Sequence, residues 1–451
     1  MVLDRPWVCR QYKLSYFFFN LKMESRRYYM NNQIKSVLSS LIGNVLEWYE
    51  YTLYAYFSTV ISSLFFPTSD SRVSMMLVFA TFAIGLAARP IGGIIFGYIG
   101  DKYSRKRMLS FTILLMSVPT LCIGLLPTYA QIGIFAPIIL VTLRILQGIA
   151  LGGEFGASCV YLYESAQPKK RGFFGALALT GVGTGLVLSG CTVLLFESIF
   201  TKEQVYAYAW RIPFFISVTG AIIGLYMRTS LLETSDFLEA KQNMQLIIRH
   251  PFIEMLKNYK IILIKLFSIF LTTQVAFFVV FIFGKSMMIE YLHFTPKTAS
   301  MFNIFTVVSY TLSTLIFGYT STKVDKRHLI LFGAIALLIA SYPFILSLKS
   351  GSSIFIIIMS IILGALIGMT EGNLNYLVSE SFPTQIRATS VAFCWNFTAA
   401  TFGAAAPIVS MWLIHYVGNI NAIAYCLMGV CSITIFGILY GFYKPLHHSQ
   451  S

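Results

Sequence analysis

Asn44, Glu47, Tyr51 and Tyr54 follow one another at spacings of three, four and three residues, which gathers them within about 80° of one helical face. Such a face can line a polar cavity. Glu47 stands in a stretch of mostly uncharged residues, and an ionised side chain inside hydrocarbon costs roughly 2.5–3.5 kcal/mol. A carboxyl kept there suits the uptake and release of a proton; a structural carboxylate paired to an arginine is the competing reading. Glu50 lies partly off that face. Arg144, Gln147 and Glu154 share a second face, beside Gly148 and Gly152, whose four-residue spacing lets another helix approach. Arg144 suits two-pronged recognition of a carboxylate, or it and Glu154 pair with other buried charges. Lys285, Glu371, Asn375 and Asn396 complete the set; Glu371 and Asn375 are one turn apart, and Lys285 either faces the cavity or snorkels to an interface.

The elements that must hold these groups are legible from composition. Of 451 residues 57% are hydrophobic and only 11% charged, with a mean hydropathy of +0.73, whereas soluble domains carry roughly 25% charged residues. The uncharged runs Met108 to Leu143 and Gly351 to Thr370 exceed or match the roughly 20 helical residues that cross a bilayer. The pattern predicts an all-α polytopic membrane protein of twelve transmembrane helices, in two pseudo-symmetric bundles of six. The expected organisation is a cytoplasmic extension over 1–33, a bundle over 34–228, a polar inter-bundle loop over 229–260, a second bundle over 261–443 and a short tail over 444–451. Translation from Met23 or Met30 is an alternative start. The formal charge of +15 falls mainly on alternate connections, among them Lys102 to Arg107, Lys169 to Arg171, Lys323 to Arg327, Arg387 and Lys444. The other connections hold Arg72, Lys202, Arg211, Lys297 and Lys349, so the positive-inside rule places both termini in the cytoplasm. This placement accounts for the charge without nucleic acid.

The turn after the second span reads Gly97-Tyr-Ile-Gly-Asp101-Lys102 and is echoed by Gly318-Tyr-Thr-Ser-Thr322-Lys323 after the eighth, a sign of duplication. Gly93 and Gly97 permit close helix approach. Asp101 is expected to cap the next helix or face another helix's positive end, with Arg105, Lys106 and Arg107 as partners. Thr322 should lock the second copy more weakly. Arg89, beside Pro90, is placed with this cytoplasmic gate, as are Glu164, Arg171, Glu380 and Arg387.

Gly97-Tyr-Ile-Gly-Asp101-Lys-Tyr-Ser-Arg105-Lys-Arg resembles the loop signature of the major facilitator superfamily, with Ser104 in place of the usual glycine. Further blocks resemble its metabolite:H⁺ symporter family, and within it the proline/betaine transporter branch. They are Gly43-Asn-Val-Leu-Glu47-Trp-Tyr-Glu50, Arg89-Pro-Ile-Gly-Gly, Arg144-Ile-Leu-Gln147-Gly-Ile-Ala-Leu-Gly-Gly-Glu154, Lys170-Arg171-Gly172, Trp210-Arg211-Ile-Pro-Phe-Phe and Glu380-Ser-Phe-Pro383-Thr-Gln-Ile-Arg387. The resemblance implies two bundles rocking about a midplane site in a bacterial inner membrane, with proton-coupled symport of a small zwitterionic or anionic metabolite. A proline- or betaine-like osmolyte is favoured, and a dicarboxylate such as 2-oxoglutarate is the alternative. The crowded tyrosines of span 1 and Trp395 with Phe397 on span 11 could cage a quaternary ammonium.

The coupling ion is expected to be H⁺, and no cofactor or metal is implied; the seven cysteines contain no CxxC pair. The expected partners are a small-molecule substrate, protons and the lipid bilayer. A membrane-embedded enzyme is disfavoured because neither His-x4-Asp nor GxSxG occurs. A non-transporting sensor with the same fold is the remaining alternative.

Overall fold

The computed structural model describes residues 37–229, 233–242 and 250–442. The expected extension over 1–33 and tail over 444–451 lie outside them. Twelve long helices are labelled here in chain order: α1 (37–56, continued by Ser58–Phe65), α2 (Ser71–Lys102), α3 (Arg105–Leu125), α4 (Phe135–Glu164), α5 (Arg171–Ile199) and α6 (Ile212–Thr229). The second half contains α7 (Lys260–Leu292), α8 (Pro296–Thr320), α9 (Lys326–Ser350), α10 (Ser353–Glu380), α11 (Arg387–Val417) and α12 (Asn421–Phe442). Eleven of these contain segments long and apolar enough to cross a membrane. Among the described residues the exception is α1, the helix that carries Asn44, Glu47, Glu50 and four tyrosines.

Helix ends are set by local chemistry. The Asp70 side chain accepts from Arg72 N and caps α2, Asp325 does the same for α9 through Arg327 N, and Ser104 caps α3 through Arg107 N. These side-chain acceptors satisfy backbone donors that have no partner within the helix. Two helices are interrupted by π segments, α7 at Phe278–Phe283 and α11 at Ala399–Gly403, a distortion often found at functional positions.

Packing repeats at an offset of six helices. In the first half α2 packs on α4, α3 on α4 and α3 on α6; in the second α8 packs on α10, α9 on α10 and α9 on α12. The halves meet through α2 against α11 and α5 against α8. Small residues set the closest approaches. A Cβ on Gly148 or Gly152 would strike the carbonyls of Gly85 or Arg89, and one on Gly368 or Gly372 would come within 2.6–2.8 Å of the carbonyls of Tyr310 or Thr314. Each half thus brings two backbones together along a glycine stripe, as membrane helices do where no hydrophobic force separates helix from lipid.

The described residues of the polar stretch expected as an inter-bundle loop over 229–260 include short helices at Ser235–Gln242 and Pro251–Asn258, and Pro251 and Met255 are buried. Glu233 Oε2 accepts from Ser104 Oγ at 2.6 Å, so the residue that replaces the signature glycine both caps α3 and ties this segment to the first bundle.

Candidate functional site

A narrow cavity between the halves, about 20 Å³ in volume, is lined by Trp48, Arg89, Phe155, Leu179, Val182, Gln274, Phe277, Phe278, Glu371, Trp395 and Ala399. Helices α1, α2, α4 and α5 supply one side, and α7, α10 and α11 the other. The π segments place Phe278 and Ala399 here, and Gly403 leaves room for the Phe278 ring. The lining therefore combines one cation, one carboxyl and five aromatic rings.

Arg89 is the main correction to the sequence reading, which placed it at a cytoplasmic gate. Its Nε donates to Asn396 Oδ1 at 3.0 Å, and Asn396 Nδ2 in turn donates to the Gly152 carbonyl at 2.6 Å. Its guanidinium carbon lies 5.6 Å from the Trp48 ring centre. Among the described residues no carboxylate forms an ion pair with Arg89. Opposite it, Glu371 Oε2 accepts from Tyr310 Oη at 2.6 Å, while Asn375, one turn on, donates to the Gly175 carbonyl at 2.9 Å and ties α10 to α5.

Arg144, expected to face substrate, lines no part of this cavity. It is fully buried, with its guanidinium carbon 4.1 Å from the ring centre of Tyr51 and 4.3 Å from that of Tyr54. These tyrosines therefore box an arginine, and their hydroxyls donate to the Phe82 and Val78 carbonyls of α2. From Arg144 a hydrogen-bonded chain crosses three helices: Nη1 to Gln147 Oε1 (2.8 Å), Gln147 Nε2 to Thr120 Oγ1 (2.8 Å), and Thr120 Oγ1 to Glu50 Oε2 (2.8 Å). Buried cation and buried carboxyl are thus joined by neutral groups.

Glu154 is engaged elsewhere. Both its oxygens accept from Arg228 of α6, and Thr112 Oγ1 also donates to it. Gly43 faces this pair; a Cβ there would come within 2.9 Å of Glu154 Oε1. Arg228, the last residue of the expected first bundle, is buried. Glu154 alone could have signalled it, since a buried carboxylate requires a cation. Glu47 differs: both oxygens are buried with no hydrogen-bond partner, and Glu154, Arg89, Arg228 and Glu50 all act on it electrostatically. Asn44 donates to Ser158 Oγ and to the Ala178 carbonyl, so it fastens α1 to α4 and α5.

Contacts bridge the halves at each end of the cavity. At the basic end Asp101 accepts from Ala388 N (3.1 Å), Thr389 N (2.9 Å) and Thr389 Oγ1 (2.6 Å), facing the positive end of α11 as that geometry favours. Gly97 brings α2 to within 3.0 Å of Thr389 Cα for an added Cβ, and Gly93 sits against Asn396. Arg387 Nη1 reaches Glu164 at 2.9 Å and Asp236 at 3.3 Å, and Asp236 also takes Arg171 at 2.8 Å. Glu380 pairs with Lys326 at 2.5 Å inside the second half, so it does not bridge. Thr322 donates to its own helix at Tyr319 and Arg107 is exposed, Lys106 half-buried; the Arg105 side chain lies outside what is described. At the opposite end Lys285 Nζ donates to Glu197 Oε1 (2.9 Å) and to the Tyr56 carbonyl (3.1 Å), and Ser58 meets Ser286. Lys285 is therefore a latch between bundles, neither a cavity residue nor a snorkelling one, and Glu197 is its unforeseen partner.

Asp236 lies outside the membrane-spanning segments. Burial, and after it the neighbouring Glu164, hold its carboxyl above the ordinary aspartate range against the pull of Arg171 and Arg387. The bridged arrangement thus binds a proton on Asp236 more tightly than one that exposes it, so linkage makes mild acid favour closure of this end. Spin labels on α4 and α11 at this end should show a closed population that grows as the pH is lowered, and Asp236→Asn should abolish the dependence.

A bundle of twelve long helices in two matching halves, eleven of them apolar enough to span a membrane, enclosing a charged aromatic cavity bridged at both ends, is the architecture of a transporter for small molecules. The chain belongs to the Major Facilitator Superfamily, whose family model matches residues 49–407. It is 30% identical over 407 residues to the proline/betaine transporter of Escherichia coli (strain K12), covering 88% of this chain and 81% of that one. It is 29% identical over 430 residues to the glycine betaine/proline/ectoine/pipecolic acid transporter of Dickeya dadantii (strain 3937), covering 91% and 84%. Among solved structures it is similar to the proton:xylose symporter XylE bound to 6-bromo-6-deoxy-D-glucose, with a TM-score of 0.76 and 18% identity over 93% of this chain and 97% of that one. The same transporter from E. coli in a partially occluded inward-open conformation gives a TM-score of 0.72 at 16% identity, covering 92% and 98%. The chain is thus a multi-pass membrane transporter rather than an enzyme.

Proposed function

We propose that this protein takes up a small zwitterion, of the proline or glycine betaine kind, together with a proton. The observation that carries the reading is the pairing of Arg89 with Glu371 across an aromatic cavity. Arg89, held at Nε by Asn396, offers its terminal nitrogens to a carboxylate. Glu371 and the surrounding rings suit the cationic nitrogen at the other end of the same molecule. A dicarboxylate would bring two negative charges to a lining with one cation and one carboxyl, which favours the zwitterion. The names of the curated relatives point the same way.

In this reading the bundles rock about the cavity, breaking the Asp101 and Arg387 contacts at one end and the Lys285 contacts at the other in turn. The basic end and both termini face the cytoplasm of a bacterial inner membrane. Glu47 carries the proton. Substrate carboxylate on Arg89 removes the positive charge that offsets Glu47, so Glu47 binds a proton in the same step and both move together. No cofactor or metal takes part.

Purified protein in liposomes should accumulate labelled proline or glycine betaine when the outside is made acid, and should exclude 2-oxoglutarate. Accumulation of 2-oxoglutarate in preference to either zwitterion would overturn the substrate class, and no flux of any of the three would favour a non-transporting sensor.

A further inference from the structure

Two residues that line the cavity carry hydrogen-bond donors that nothing among the described residues satisfies. Trp48 on α1 and Trp395 on α11 both line it, are 4% and 5% exposed, and have indole N–H groups without a partner. A buried donor left unpaired costs about 1–3 kcal/mol, and two on the same cavity, one from each half of the protein, call for an acceptor. The indoles are held in place by edge-to-face contacts rather than by polar bonds. Both meet Phe155, at centroid distances of 6.3 Å and 5.0 Å; Trp48 also meets Phe277 at 5.4 Å and Trp395 meets Phe270 at 4.8 Å. Arg89 lines the same cavity. The guanidinium lies over the Trp48 ring, and Asn396, which anchors it, directly follows Trp395 in the chain. Three residues that carry donor groups, Arg89, Trp48 and Trp395, therefore line one cavity.

Resting on the zwitterion reading above, we propose that Trp48 and Trp395 donate through their indole nitrogens to the substrate's carboxylate, beside Arg89, and so form a seat completed only when both bundles contribute. The indoles then select for the carboxylate end of the substrate. The cationic end is left to Glu371 and the phenylalanine faces. Because one indole belongs to each half, a seated carboxylate draws the bundles together, whereas a cation without a carboxylate leaves one donor on each side unsatisfied.

Phenylalanine removes the N–H and keeps an aromatic ring, so Trp48→Phe and Trp395→Phe test the assignment. Binding to the purified full-length protein is measured for proline, for glycine betaine, and for choline, which has the quaternary ammonium without the carboxylate. Each variant is expected to weaken proline and glycine betaine alike, by about 10-fold, and to leave choline unchanged, so that the preference for betaine over choline narrows by the same factor. An unchanged betaine-to-choline ratio, or a loss confined to the two quaternary ligands, overturns the proposal; the second outcome would make the indoles a cation cage. Should either variant fail to fold, the unmodified protein supplies a second readout. The Raman band sensitive to indole N–H hydrogen bonding should shift with betaine and stay fixed with choline, and a band that shifts with neither overturns the proposal. Wild-type protein that binds neither zwitterion would overturn the underlying function as well, which separates the two failures.

Discussion

Arg89→Gln should lower uptake of proline and glycine betaine by about 100-fold or more while leaving membrane insertion intact. The substitution keeps a polar group near Asn396 but removes the cavity's one lining cation, and losing one partner of a buried charge pair costs about 2–5 kcal/mol. Arg89→Lys should recover little. An ammonium cannot hold Asn396 Oδ1 and present two further nitrogens to a carboxylate at the same time. Binding to detergent-solubilised protein, set beside flux in liposomes, separates a lost seat from a slowed transition. The expected result is loss of affinity in both.

The second large effect concerns stability. Arg228→Leu leaves Glu154 buried with Thr112 as its remaining donor, and breaking a buried ion pair from one side costs about 3–5 kcal/mol. The variant should melt at a markedly lower temperature and be recovered in poor yield. Arg228→Leu combined with Glu154→Gln should regain most of the loss, because no isolated charge then remains in the bundle. Equal instability of the single and double variants would show that Arg228 acts through packing rather than through Glu154.

The glycine spacings, the basic turns and the apolar runs made the two bundles and most helix positions legible in the sequence. These features follow from local rules: a span needs length, a close crossing needs small residues, and a basic loop marks a side. The contacts that bridge the halves were partly legible for the same reason. Asp101 sits where a helix end must be capped, and Glu164, Arg171 and Arg387 flank membrane edges. What the sequence could not show was which buried charges meet. Arg89 and Arg144 both stand in blocks that carry the family resemblance, and only the crossing of α2 with α4 and α11 sends one to the cavity and the other into a box of Tyr51 and Tyr54. Partners that lie on different helices, such as Arg228 for Glu154 or Glu197 for Lys285, have no signature in spacing. Trp48 carries no signal of its own, because an indole in an apolar helix ordinarily reads as packing.

The role of Glu47 is open to a single direct measurement. Liposomes containing the protein and a lumenal pH dye are given an inward gradient of labelled glycine betaine with no imposed pH difference. Wild-type protein should acidify the lumen in fixed proportion to the betaine that enters. Glu47→Gln should exchange labelled for unlabelled betaine and move no protons. Acidification by Glu47→Gln in the wild-type proportion would contradict the account, since the proton would then travel by another group.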